Sequence, residues 1–277
     1  MIPQGPTPRI SVVIPSFEQG AYLEATLRSL LLQNYPDLEI IVIDGGSRDA
    51  TSEILERYRP WLSFALSRPD RGQAHAINLG FSLTTGGVLT WLNSDDLHLP
   101  WTLRRIAAAF TAPVDVVHGD ALAFEEETGR FEVLPGQPAR ARFCRFGGLL
   151  LQPSTFWRDT VHQPLQEALH CALDYELWIR LLRGRRIHRL EEMLSLARRH
   201  PASKTCSPRL QARWDADAAL NQQLHGSLYR PSLLNHLIRR EHQLVRALDR
   251  RRTLSRLQAA LPQLLQRCGW TPGAGLP

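Results

Sequence analysis

A chain of 277 residues leaves room for one large domain, or for one domain with an appendage. Its composition, 43% apolar and 22% charged, is that of an ordinary soluble fold and excludes a collagen-like, coiled-coil or wholly disordered chain. The net charge of +6 is unevenly spread: residues 203–277 carry 12 basic and 4 acidic side chains, so the basic character belongs to the C-terminal quarter.

No run approaches about 18 consecutive apolar residues, so no membrane-spanning helix is expected. The opening MIPQGPTPRI lacks the basic and apolar regions of an export signal, which predicts a cytoplasmic protein. The four cysteines are widely spaced without a CxxC pair, so zinc and dithiol chemistry have no support.

In chain order, Ile10–Ile14 is a short β-branched run and reads as a buried strand. Residues 21–33 place Leu23, Leu27, Leu30 and Leu31 at helical spacing, and Tyr35-Pro36 ends that helix. Glu39–Ile43 is a second buried strand that runs into Asp44-Gly45-Gly46. Asp49 or Thr51 can cap the helix that follows over 51–58. A strand over 63–66, a helix over 72–84 and a strand over Val88–Leu92 come next, the last closing on Asn93-Ser94-Asp95-Asp96. Pro100 suits the first turn of a helix that reaches Phe110, and Asp115–His118 reads as a further strand. Apolar strands alternating with amphipathic helices specify a doubly wound α/β sheet.

Beyond residue 121 the pattern changes. Phe124–Leu134 reads as a hairpin turning at Thr128-Gly129, 149–157 as a strand, 174–183 as a helix and 187–196 as mixed strand and loop. The Arg-rich stretch after 203 reads as helical, with a start at Pro231.

In open α/β sheets ligands bind beyond the carboxyl ends of the strands. Three of the first four strand ends carry polar clusters: Pro15-Ser16-Phe17-Glu18, Asp44-Gly45-Gly46-Ser47 and Asn93-Ser94-Asp95-Asp96. Gly45-Gly46 lets the backbone approach a ligand, Asp44 can accept from an imide or a ribose hydroxyl, and Phe17 can lie against a base. Neither GxGxxG nor GxxxxGK[ST] is present, so a diphosphate needs another charge partner. Asp95-Asp96 at a strand end suits a hard divalent cation, Mg²⁺ or Mn²⁺, shared with phosphates.

The segments VVIPSFEQGAYLEATLRSLLLQ, IIVIDGGSRDAT and RPDRGQAHAINLGFSLTTGGVLTWLNSDDLHLP together resemble the N-terminal half of the family 2 glycosyltransferases of GT-A fold. The resemblance continues through QPSTFWR, LDYELWIRL and RRHPASKT, and covers residues 8–205. It implies a GT-A-like mixed sheet, with a nucleotide-sugar half over 8–120, an acceptor half over 121–205 and a basic helical extension over 206–277. It also implies a nucleoside diphosphate sugar donor, a divalent metal, a glycan or lipid-linked acceptor and transfer with inversion. By position, Pro15, Phe17 and Glu18 fall on contacts to base and ribose, and Asp44 on the acid that pairs with the base. Asp70-Arg71-Gly72-Gln73 fall on a donor-lining loop. Asp95 and Asp96 fall on the DxD-type metal motif, with Asp96 as its leading ligand. Asn93 or Ser94 stands where many relatives carry the first Asp of that motif.

Asp174 falls on the catalytic base, although an Asp at a helix start also reads as a cap. His200 and Lys204 lie four residues apart, placed for the metal shell and the departing diphosphate. Lys204 is the single lysine among 33 basic residues. Trp157 and Trp178 read as core. Two other readings compete: a nucleotide-sugar-binding protein without transfer activity that acts through its basic tail, and a nucleotidyltransferase. In that tail, leucines from Leu234 to Leu264 at helical intervals, beside Arg239, Arg240, Arg246 and Arg250–Arg252, suit packing, a homodimer contact or an acidic membrane surface. The reading taken is peripheral binding to the inner membrane face, without nucleic-acid recognition, since no motif for the latter accompanies the charge.

Overall fold

The computed structural model describes residues 7–136 and 150–226. The amphipathic tail read over 233–265, its start at Pro231 and the expected membrane contact lie outside the described residues.

The N-terminal half alternates strand and helix: β1 (Ile10–Ser16), α1 (Gly20–Leu31), β2 (Leu38–Asp44), α2 (Thr51–Tyr58), β3 (Phe64–Ser67), α3 (Gln73–Ser82) and β4 (Val88–Trp91). These four strands are parallel in the order β3-β2-β1-β4, with Ile10 opposite both Leu38 and Val88. Every residue of β1 and β4 is buried, which is why each reads as a continuous apolar run rather than an alternating one. Then follow β5 (Leu97–His98), α4 (Thr102–Ala109), β6 (Val116–Glu125), β7 (Arg130–Leu134), β8 (Thr155–Arg158), α5 (Leu173–Leu181), β9 (Ile187–Arg199) and α6 (Gln211–His225).

The sheet becomes mixed where β8 runs antiparallel to β4 and β6, and it continues β6-β9-β5, with β7 hairpinned onto β6. This is the GT-A-like mixed sheet expected. Two local expectations are corrected. The strand read over 149–157 is confined to Thr155–Arg158, because Gln152–Ser154 form a single helical turn around Pro153. The mixed segment at 187–196 is one 13-residue strand that pairs with β6 and, at its far end, with β5.

Two apolar layers sandwich the sheet. On one face Leu23, Leu27 and Leu30 of α1, Ile54 of α2 and Ile106 of α4 cover Ile10, Val12 and Ile14. On the other, α3 and α5 cover Val13, Leu89 and Trp91. Trp157 and Trp178 belong to this second layer, as expected: Trp178 stacks on Trp91 at 5.7 Å and meets Trp157 edge-on.

Gly80 sets how closely α3 lies on β1, since a Cβ there would stand 2.3 Å from Val13 Cγ1. Gly80→Ala is therefore expected to destabilise the fold by about 1–3 kcal/mol. A lower urea midpoint at unchanged slope checks it; an unshifted midpoint would show that α3 can back away freely.

Candidate active site

The three polar strand ends meet along one edge of the sheet. At the end of β2, Asp44 is fully buried and bonds its own loop. Its Oδ2 accepts from the backbone N–H of Gly46 (3.1 Å) and Ser47 (2.9 Å) and from the Ser67 hydroxyl (2.6 Å). Its Oδ1 accepts from the Ser47 hydroxyl (2.5 Å). Asp44 thus shapes the loop around Gly45-Gly46.

Gly45 is where the missing side chain matters: a Cβ there would lie 3.1 Å from the Phe17 ring and 3.3 Å from Asp70 Oδ2. Phe17, 61% exposed, and the Asp70 carboxylate converge over this gap. Asp70 Oδ1 accepts from the Gly72 N–H (2.7 Å), which leaves Oδ2 turned toward Gly45.

Pro15 is buried beneath, in β1. Glu18 holds a left-handed backbone (φ 53°) and is tied to the same loop, its N–H donating to Ser47 Oγ (2.7 Å) and its Oε1 accepting from Arg48 N–H (3.0 Å). Of Asp49 and Thr51, read as alternative caps of α2, neither is the N-cap, which is Ala50; Asp49 instead accepts from the Thr51 N–H (3.0 Å) and from the Gly20 N–H (2.6 Å) at the start of α1. Arg71 is exposed and pairs with exposed Glu167 (2.8 Å).

A row of hydrogen bonds crosses the site. Lys204 Nζ donates to Gln73 Oε1 (2.7 Å), Gln73 Nε2 to Asn93 Oδ1 (2.9 Å), and Asn93 Nδ2 to Asp96 Oδ2 (3.2 Å). Asn93 also donates to Gln152 Oε1 (3.2 Å), and Gln152 Nε2 to the Trp91 carbonyl (2.7 Å). Sequence reading placed Asn93 in a strand-end polar cluster and at a departure from a motif, and Gln152 in an acceptor-side segment, without linking the two. Asn93, like Gln73, is an amide, able to donate on one side and accept on the other, which is what a row linking a cation to a carboxylate needs.

Asp96, expected to lead the metal contact, faces inward: Oδ1 accepts from the Arg198 backbone N–H (3.0 Å) and Oδ2 from Asn93. Burial, and then the charge of Asp95, hold its carboxyl well above the usual range. Asp95 Oδ2 instead lies 3.0 Å from His200 Nε2, whose ring packs on Tyr22 at 4.4 Å.

Below them the Arg198 side chain is buried, 4.9 Å from the Tyr22 ring and 3.9 Å from Glu126, with no hydrogen-bond partner on its guanidinium among the described residues. Sequence reading missed Arg198, since one arginine in an Arg-rich chain carries no signal.

Among the described residues no three His, Cys, Asp or Glu side chains stand together as a ready metal cage. Asp95 and His200, beside a second carboxylate raised by burial and by the charge of Asp95, fit a cation that phosphate oxygens would also hold.

Asp174 sits in the first turn of α5, its Oδ1 accepting from the Tyr175 N–H (2.8 Å). Burial raises its carboxyl above the ordinary value, against that hydrogen bond and the charge of Lys204. Lys204 is shifted the other way: burial lowers its ammonium, while the charges of Asp217 and Asp174 hold it up.

The profile of glycosyl transferase family 2 matches residues 11–160, more than half of the chain, and the chain belongs to that family. An uncharacterized glycosyltransferase of Nostoc sp. is 33% identical over 115 residues, 40% of this chain and 36% of its own. A PGL/p-HBAD biosynthesis glycosyltransferase of Mycobacterium tuberculosis is 37% identical over 121 residues, 42% of this chain and 47% of its own. The chain thus spans between a third and a half of the length of these two curated relatives.

Among solved structures, S. aureus TarS in complex with UDP-GlcNAc aligns over 72% of this chain and 61% of its own, with a TM-score of 0.61 at 23% identity. The mannosyltransferase PcManGT of Pyrobaculum calidifontis, in complex with GDP-Man and Mn²⁺, aligns over 95% and 86%, with a TM-score of 0.55 at 16% identity. At those identities the likeness is one of fold. Among the described residues no helix is long and apolar enough to cross a membrane.

Proposed function

We propose that the protein transfers a glycosyl group from a nucleoside diphosphate sugar to an acceptor hydroxyl, with inversion at the anomeric carbon. The observation that carries this is the hydrogen-bonded row from Lys204 to Asp96, with the Asp95–His200 pair at one end and Asp174 at the other. Phe17 and Asp70 would receive the base, the ring by stacking and the carboxylate by accepting an imide N–H. Asp44 and Glu18 would shape that seat rather than touch the base, because their carboxylates already accept hydrogen bonds within the loop, and Pro15 lies buried beneath it.

Asp95 and His200 would hold a Mg²⁺ or Mn²⁺ ion together with the donor phosphates, and Asp96 would orient them through Asn93 and β9. When bound, such an ion supplies positive charge against the departing diphosphate. Lys204 places a second cation at the other end of the row. Asp174 takes the proton of the acceptor hydroxyl as its oxygen bonds to the anomeric carbon and the bond to the phosphate oxygen breaks. Its raised basicity suits that step.

A glycan or a lipid-linked glycoconjugate is the proposed acceptor; the naming of the mycobacterial relatives for PGL/p-HBAD biosynthesis supports that class. A panel of UDP-, GDP- and dTDP-sugars, scored for nucleoside diphosphate release with and without Mn²⁺, tests the reading. Release of pyrophosphate from nucleoside triphosphates instead would assign a nucleotidyl transfer, and saturable donor binding without any turnover would leave a binding protein.

A further inference from the structure

We propose that Asp217 of α6 is a positioning residue of the transfer reaction, gathering the amides ahead of α5 and so fixing both Asp174 and the carbonyl that anchors Lys204. The proposal rests on Asp174 being the base. Asp217 is buried, and its Oδ2 accepts from three consecutive backbone N–H groups: His170 (3.0 Å), Cys171 (2.6 Å) and Ala172 (2.9 Å). Three amides turned toward one point form an anion-binding concavity, and here the anion is a side chain 45–47 residues away. Ala172 is the residue from which α5 starts, and Asp174 stands two positions on. The His170 carbonyl, at the other end of the same three residues, accepts from Lys204 Nζ (2.7 Å).

One carboxylate therefore holds the segment that presents the base and the segment that presents the cation. The rest of α6 supports this purpose: its buried residues are Asp217 and Asn221, whose amide donates to the Asp217 carbonyl (3.0 Å). His225 at its end lies 2.8 Å from buried Glu176 on α5. Trp214 and Leu220 of α6 also lie partly buried against the core, but its buried residues and its contact with Glu176 are polar, so the helix fixes the geometry ahead of α5 as well as covering apolar surface.

Asp217 also acts on Lys204 through charge. The groups facing that ammonium are Cys171, Asp217, Arg213 and Asp174, of which Cys171, Asp217 and Asp174 favour its protonated form and Arg213 opposes it. Asp217→Asn keeps an acceptor for the three amides and removes the charge, while Asp217→Ala removes both.

Because Lys204 is the only lysine, ¹³C-lysine-labelled protein gives one ε-methylene signal whose titration reads this ammonium alone. The expected result is that both variants move that midpoint to lower pH. Asp217→Ala should speed hydrogen exchange at amides 170–172 by about tenfold or more, and Asp217→Asn much less. Hydrolysis of the best donor of the panel above, followed as nucleoside diphosphate release, should fall roughly 10–10²-fold in kcat for Asp217→Ala with donor KM little changed. Should the Ala variant fail to fold, the Asn variant still reports the midpoint.

An unmoved Lys204 midpoint together with unchanged exchange at 170–172 would overturn the latch. A changed midpoint and exchange with kcat unaltered would make it structural only, and so also overturn it. The separate variant Asp174→Asn decides the base: full activity there would remove that reading while the latch measurements stand by themselves.

Discussion

Asp174→Asn is expected to lower turnover by roughly 10²–10⁴-fold while donor affinity stays close to that of the parent. The amide keeps the size of the side chain and can still accept from the Tyr175 N–H, so α5 keeps its start. What it loses is the ability to take a proton. The pH profile carries a second signature. Burial raises the Asp174 carboxyl, so the ionised, proton-accepting form is reached only above the ordinary carboxylate range of about 4. In the parent, kcat/KM should rise with pH through that displaced midpoint, and the rising limb should be absent from the residual rate of the variant. A near-parental rate at donor saturation would return Asp174 to the role of a helix cap.

The second large effect concerns the cation. Chelation is expected to abolish turnover, and Asp95→Ala or His200→Ala to do the same by removing a ligand. Turnover alone would not separate lost metal from lost shape, so the decisive readout is thermal. Mn²⁺ at about 100 times its dissociation constant adds about 2.7 kcal/mol, which corresponds to a rise in Tm of roughly 5–11 °C for a domain of this size. The parent should show that rise and the Asp95 and His200 variants should not. Asp96→Asn, which keeps hydrogen bonding toward Asn93 and Arg198, should retain part of it. An Asp96 variant that loses the whole rise while Asp95→Ala keeps it would reverse the assignment.

The N-terminal half was legible because three of its four strands, β1, β2 and β4, are buried along nearly their whole length. Contiguous runs such as Ile10–Ile14 and Glu39–Ile43 are short, β-branched and bounded by polar residues, and those residues form the proposed donor seat. β9 was harder for the same physical reason inverted. Its half-buried sequence IHRLEEMLSLARR mixes charge with apolar residues, because its first half borders solvent and only its second half is buried. α6 falls in the stretch after 203 that reads as helical, but its start was not legible by period. Its buried residues are Asp217 and Asn221, while Trp214 and Leu220 are only partly buried against the core, so no broad apolar stripe marks it. Asp217 looks in sequence like any surface acid. Asp95, Asp96, Asp174, His200 and Lys204 were reached through resemblance and strand-end position, but how Asp95 and Asp96 divide their roles needed the direction of each carboxylate.

β9 has a further implication for how the molecule comes into being. Its residues 187–199 complete the pairing of β6 along almost its whole length and carry His200 and Lys204 just beyond their end. The contact of Arg198 with Asp96 spans 102 positions of sequence, a slow kind of closure for a growing chain. Until β9 arrives, β6 presents one of the longest strands of the sheet as a bare edge, the sort of surface on which chains aggregate. The segment that shields this edge is also the one that delivers the imidazole and the ammonium. Glycosyl transfer would therefore begin only in molecules that have already passed their most aggregation-prone stage, and activity per milligram would double as a gauge of how completely a preparation has folded.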